Sequence, residues 1–253
     1  MIVRHAIRRL LLQGDSPETA SLAPKVRKLV DAGMMTGSAT QLVATVYGYG
    51  GAALLDPQLD LVLDGRNMLW RALSRFVTPA KVPYRYEEDL VSRIAFRELD
   101  YAAEPDGLPL DPALAERETR RQTAAFEDEP YDLATEMPNF RWPTVVVSGG
   151  RDLITPPAVA DRVASLVPNA VLLKLPTMAH SALDFRESAA LAVAGAVFRG
   201  ELGGLAAQTA ALDALPTRHA VRLLWKAVGV AAIAERALPA LPAVPLLRRL
   251  RSA

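Results

Sequence analysis

The chain has no cysteine, which excludes a disulfide framework, a thiolate nucleophile and any Cys-based metal site. An excess of one charge is missing too. Its 29 Lys and Arg nearly cancel 28 Asp and Glu, and a formal net charge of +1 provides no electrostatic footprint for nucleic acid. There are only three histidines, His5, His180 and His219, and no two share a metal-ligand spacing, so neither a metal nor a cofactor is expected. Long apolar runs are also lacking. The most apolar window, 227–234, is bounded by Lys226 and by Glu235-Arg236, far short of the ~20 residues a helix needs to cross a bilayer. At the N-terminus, Arg4, His5, Arg8 and Arg9 break up the apolar residues and leave neither a signal-peptide core nor a small-residue cleavage site. The expectation is a soluble, cytoplasmic protein with no membrane span and no nucleic-acid partner.

What the chain does have is apolar mass. At 253 residues and 51% hydrophobic it can bury a sizeable core as one large domain or two small ones. Residues 1–140 read as a string of helices. Ile2, Val3, Ala6, Ile7, Leu10 and Leu11 form a stripe that stops near Gly14, and Ser16-Pro17-Glu18 has the form of a helix start whose helix runs to about Gly33. Further helices are predicted over 38–47, 57–63, 67–76, 84–101 and 111–126, with 105–109 and 130–138 as connections. The glycines of Gly48-Tyr49-Gly50-Gly51 read as a turn between helices.

The character changes at Trp142. A strand over 143–147, a helix over 157–167, a strand over 171–175 and a helix over 181–198 make a βαβα pattern, which implies parallel strands. Residues 201–253 follow as a helical tail with one helix near 218–236. Two parallel strands alone leave backbone edges uncovered, so either further strands or a protein partner is expected to cover them.

Each strand delivers one chemically capable side chain at its C-terminal end. The turn Ser148-Gly149-Gly150 presents Asp152, and His180 lies 28 residues later in the loop after the next strand. Adjacent strand ends bring a carboxylate close enough to hold an imidazole by its Nδ1–H, the acid–base half of a nucleophile–His–acid triad. The alternative is that Asp152 caps the following helix and His180 is an ordinary loop histidine. The nucleophile half has no counterpart, because no serine stands between small residues at −2 and +2 after a strand. In Val46-Tyr47-Gly48-Tyr49-Gly50-Gly51, which imitates such a turn, the nucleophile position holds Gly48. Ser148 reads as structural.

The stretch PTVVVSGGRDLITPP followed by PNAVLLKLPTMAHSAL resembles the C-terminal part of α/β-hydrolase-fold enzymes, above all the proline iminopeptidase and tripeptidyl aminopeptidase-like branch. The likeness covers about 141–200, with Ala179 where that family often has glycine. It implies an incomplete α/β-hydrolase fold: a helical lid over 1–140, the last βαβα portion of the core over 141–200 and a helical tail over 201–253. It also implies a serine hydrolase acting on a peptide, amide or ester bond of a small-molecule or peptide substrate, with Asp152 and His180 as catalytic acid and base. The serine and the oxyanion-hole amides must then come from elsewhere, upstream in a longer polypeptide or on a second chain, and this chain alone is expected to be inactive. A non-catalytic helical interaction module is the competing reading. By the same resemblance, Glu87-Glu88-Asp89 or Glu127-Asp128-Glu129 would hold a substrate's free amino group, or form a solvated helix face. Trp70, Phe76, Tyr84 and Tyr86 would line a hydrophobic pocket or belong to the core.

Overall fold

A computed structural model describes residues 2–77, 105–114, 132–181 and 185–239. Both acidic clusters, Tyr84 and Tyr86, and most of the helices predicted over 84–101 and 111–126 lie outside the described residues. Within them the protein is mixed α/β, mostly helical, with a two-stranded parallel sheet.

The helical part starts with α1 (Ile2–Ile7), which continues as a wider turn over Arg8–Gln13. Val3, Ile7 and Leu11 recur every four residues on one face and are fully buried. Gly14, at φ +77°, ends the run with Ala23 packed close by. Helix α2 (Leu22–Asp31) begins later than its Ser16-Pro17-Glu18 signal predicts. Ser16 and Thr19 instead hydrogen-bond each other in a tight turn, which competes with helix over those residues. Leu22, Val26 and Leu29 form its buried face.

Helix α3 (Gly37–Leu63) joins two predicted helices. Thr36 caps it by accepting from the Ala39 N–H at 3.3 Å. The expected four-residue glycine turn shrinks to a single break at Gly51 (φ 65°, ψ −170°), because Gly48, Tyr49 and Gly50 stay helical. At that break the Glu18 carboxylate accepts from the Ala52 N–H at 3.3 Å, replacing a partner the ladder has lost. Helix α4 (Met68–Val77) and the C-terminal α9 (His219–Ala237) pack against α3. The helical core gathers residues from α1 to α4 with Leu110, Leu153 and Val228, and Trp70 packs partly buried against it.

The stretch predicted as a connection before the sheet contains a short helix α5 (Leu133–Glu136), capped by Asp132, and a 3-10 turn (Met137–Asn139). Strand β1 (Thr144–Gly149) pairs in parallel with β2 (Ala170–Leu175), Thr144 opposite Ala170 through Gly149 opposite Leu175. Helix α6 (Pro157–Leu166) connects them, and α7 (Glu187–Phe198) and α8 (Thr209–Ala214) pack beside them. A second core forms here around Leu173, Leu175, Met178, Val193, Ala196 and Leu212. Among the described residues the sheet has no third strand. Beside β1 lies an apolar groove of about 730 Å³ walled by Val145, Val147, Ala190 and Val193, with Trp142 and Phe198 at 56% and 93% exposure. No helix among the described residues is long and apolar enough to cross a membrane.

Candidate functional site

The two strand-end loops are hydrogen-bonded along their length. The Gly150 N–H donates to the Leu175 carbonyl (2.9 Å) and the Arg151 N–H to the Met178 carbonyl (3.0 Å), so the pairing of β1 and β2 continues past the sheet. Gly149 and Gly150 make this approach possible. A Cβ on Gly149 would sit 2.5 Å from the Met178 carbonyl oxygen, and one on Gly150 would sit 2.6 Å from that of Pro176. Gly149 is the last strand residue rather than part of a turn, so its absent side chain matters more than any unusual dihedral angle.

This packing brings Asp152 and His180 together. His180 Nδ1 lies 3.1 Å from Asp152 Oδ2. The other oxygen, Oδ1, accepts from the Ile154 and Thr155 N–H groups at 2.9 and 2.8 Å. Asp152 therefore organises its own loop with one oxygen and holds the imidazole with the other, and it does not cap the following helix. The helix it was expected to cap starts further on, at Pro157. Thr155, which the sequence reading missed, donates its hydroxyl to Asp152 Oδ2 at 2.8 Å and lies 3.1 Å from His180 Nδ1. Its position three residues after an aspartate in Asp152-Leu153-Ile154-Thr155 was the available signal.

The pair shifts both groups. Burial is the largest influence on Asp152 and pushes its carboxyl up, but the hydrogen bonds from His180 and Thr155 together outweigh it and hold it below the ordinary 3.8. For His180 the hydrogen bond to Asp152 dominates, exceeds the opposing effect of burial and raises the imidazole above 6.5. The two signs give opposite stability windows. The His180 contribution is complete below its unfolded value and is lost as pH rises through the raised folded one; the Asp152 contribution is present above 3.8 and is lost as pH falls through the depressed one. We expect the His180 ring protons, one of three histidine sets, to titrate by NMR with a midpoint above 6.5 that falls towards 6.5 or below in Asp152→Asn. An unchanged midpoint in the variant would mean that the pair does not hold in solution.

Asp152 is buried, whereas the His180 side chain is 40% exposed and faces a cavity of about 580 Å³. Leu153, Ile154 and Ala179 form its floor, and α3, α4 and α9 its walls through Thr45, Leu69, Leu73, Trp225 and Val228. Tyr49 lines it as well, tilted on Phe185 (centroids 4.2 Å apart) and stacked on Trp225 (6.0 Å), and donates to Ser181 Oγ at 3.4 Å. A second junction ties the helical part to the acid loop. Arg151, adjacent to Asp152, meets Glu18 with Nη2 2.6 Å from Oε1, and Glu18 also accepts from the Tyr47 hydroxyl at 3.3 Å. Burial and the adjacent Glu18 charge push the Tyr47 phenol well above its ordinary value.

Of the remaining sequence candidates, Ser148 is buried in β1, while His5 and His219 are exposed and far from one another in the chain. Among the described residues there is no group of His, Asp or Glu fit to hold a metal ion, and no serine hydroxyl is hydrogen-bonded to His180. No protein-family model matches the chain, and neither a curated protein nor a solved structure matches it.

Proposed function

We propose that this chain carries the acid and the base of a hydrolase of the α/β-hydrolase type, which cleaves a peptide, amide or ester bond by acyl transfer. The observation that supports it best is the Asp152–His180 hydrogen bond at two adjacent parallel strand ends, at the edge of an apolar cavity. Asp152 accepts from Nδ1–H, which fixes the tautomer and leaves Nε2 basic. Nε2 takes the proton of an attacking hydroxyl and returns it to the leaving group, while Asp152 stabilises the imidazolium in between. Residues outside this chain supply the nucleophile and the oxyanion-hole donors. The one-sided pairing of β1 and the apolar groove beside it favour a sheet completed by such residues, on a longer polypeptide or on a partner. In this reading residues 1–140 are the lid.

An affinity tag introduced in frame at the chromosomal locus captures this chain with whatever precedes, follows or accompanies it. Treatment of the purified material with a fluorophosphonate probe is expected to label one polypeptide, and His180→Ala to slow that labelling by about a thousandfold or more. If nothing is labelled, or the label survives His180→Ala unchanged, the hydrolase reading is wrong and the helical interaction module takes its place.

A further inference from the structure

We propose that the cavity beside His180 is a receptor for an uncharged aliphatic chain, the acyl or alkyl part of a neutral ester or ketone, and not for the ammonium end of a peptide. Two basic residues stand among its described lining, His180 and Arg151, and each already has a carboxylate partner, Asp152 and Glu18 respectively. Neither carboxylate lines the cavity, so among the described residues no anion faces an incoming ammonium group. A carboxylate ligand would have to compete with Glu18 for Arg151. The rest of the surface is dominated by side chains such as Leu69, Leu73, Leu153 and Val228, where an unpaired charge loses its water without compensation. At about 580 Å³ the space falls within the range of ordinary small-molecule sites, roughly 300 to 1,000 Å³. Each methylene moved into it from water strengthens binding by up to about fourfold.

The hydrolase reading enters only in which end of the ligand faces His180. Binding is therefore measured without turnover, so that either claim can fail alone. Equilibrium dialysis of the whole chain against 2-decanone, decanoate and decylammonium at pH 7 compares three uncleavable probes of similar length. The ketone is expected to bind at least tenfold tighter than either ion, and more tightly than 2-hexanone. Thr45→Phe and Ala231→Phe, on two different helices that line the cavity, are each expected to weaken ketone binding at least tenfold. Ala194→Phe, in the groove beside β1, leaves it unchanged. Circular dichroism checks that each variant folds, and two cavity variants keep the test usable if one does not. Equal affinity for the ions, absence of ketone binding, or sensitivity to Ala194→Phe instead of the cavity variants would each overturn the proposal.

Discussion

Replacing Gly149 by alanine is expected to lower the melting temperature by about 6–12 °C, a cost of about 3 kcal/mol in a chain of this size. The new methyl would lie 2.5 Å from the Met178 carbonyl oxygen and 2.7 Å from that of Ala179. Both obstacles are backbone, in the loop that carries His180, and cannot rotate away as a flexible side chain would. The strand-end loops must separate, and the bonds from Gly150 to Leu175 and from Arg151 to Met178 are lost with them. The same variant should return the His180 titration towards 6.5 as Asp152 moves out of reach. Gly229→Ala is the control: its Cβ meets nothing within 4 Å in the middle of α9, so that change is expected to be neutral or stabilising by about 0.5–1 kcal/mol. Equal melting temperatures for Gly149→Ala and the native chain would disprove the account of the loops given above.

Asp111→Ala is expected to destabilise the helical part by about 3–5 kcal/mol. Asp111 has no exposed side-chain surface and meets the largely buried Arg4 with Nε 2.7 Å from Oδ1. It also accepts from the backbone N–H groups of Asp106 (3.0 Å) and Ala113 (3.0 Å). It follows Leu110, whose φ of +57° is unusual for a branched side chain and whose burial in the helical core depends on that turn. Removing the carboxylate strips Arg4 of this anion and leaves two N–H groups to find new acceptors. Denaturant unfolding measures the loss. The double variant Arg4→Met/Asp111→Leu should cost less than Asp111→Ala alone, because it removes the buried charge along with its partner. A loss below 1 kcal/mol in Asp111→Ala would mean that the ion pair does not organise this turn.

The strand half of the fold is legible because its signals are local. The β-branched run Val145-Val146-Val147, ended by glycines, marks β1, and the apolar run over 171–175 marks β2, each within a few residues. A chemically capable residue follows in the loop after each strand. The helical half is legible as periodicity but not at its interruptions. Nothing local to Gly51 reveals that Glu18, 34 positions earlier, stabilises a one-residue break, and the local pattern there suggests a longer turn. The cavity is the least legible part. Its walls combine Thr45, Leu73 and Trp225, which share no spacing and meet only through the tertiary fold. The pairing of Glu18 with Arg151 spans 133 positions and is hidden for the same reason.

The two cores bear on cooperativity. One lies among the helices and the other beside the sheet, and they meet along a seam where Leu153 inserts into the helical core, Glu18 holds Arg151 and Tyr49 reaches Ser181. The cavity walls belong chiefly to the helical side, whereas the carboxylate and the imidazole belong to the sheet side. Leu153 is shared across that seam, so parting the two sides would take one member out of the helical core and separate the imidazole from the helices that line the cavity. The proposed site would therefore depend on the contacts across the seam as well as on the packing of either core.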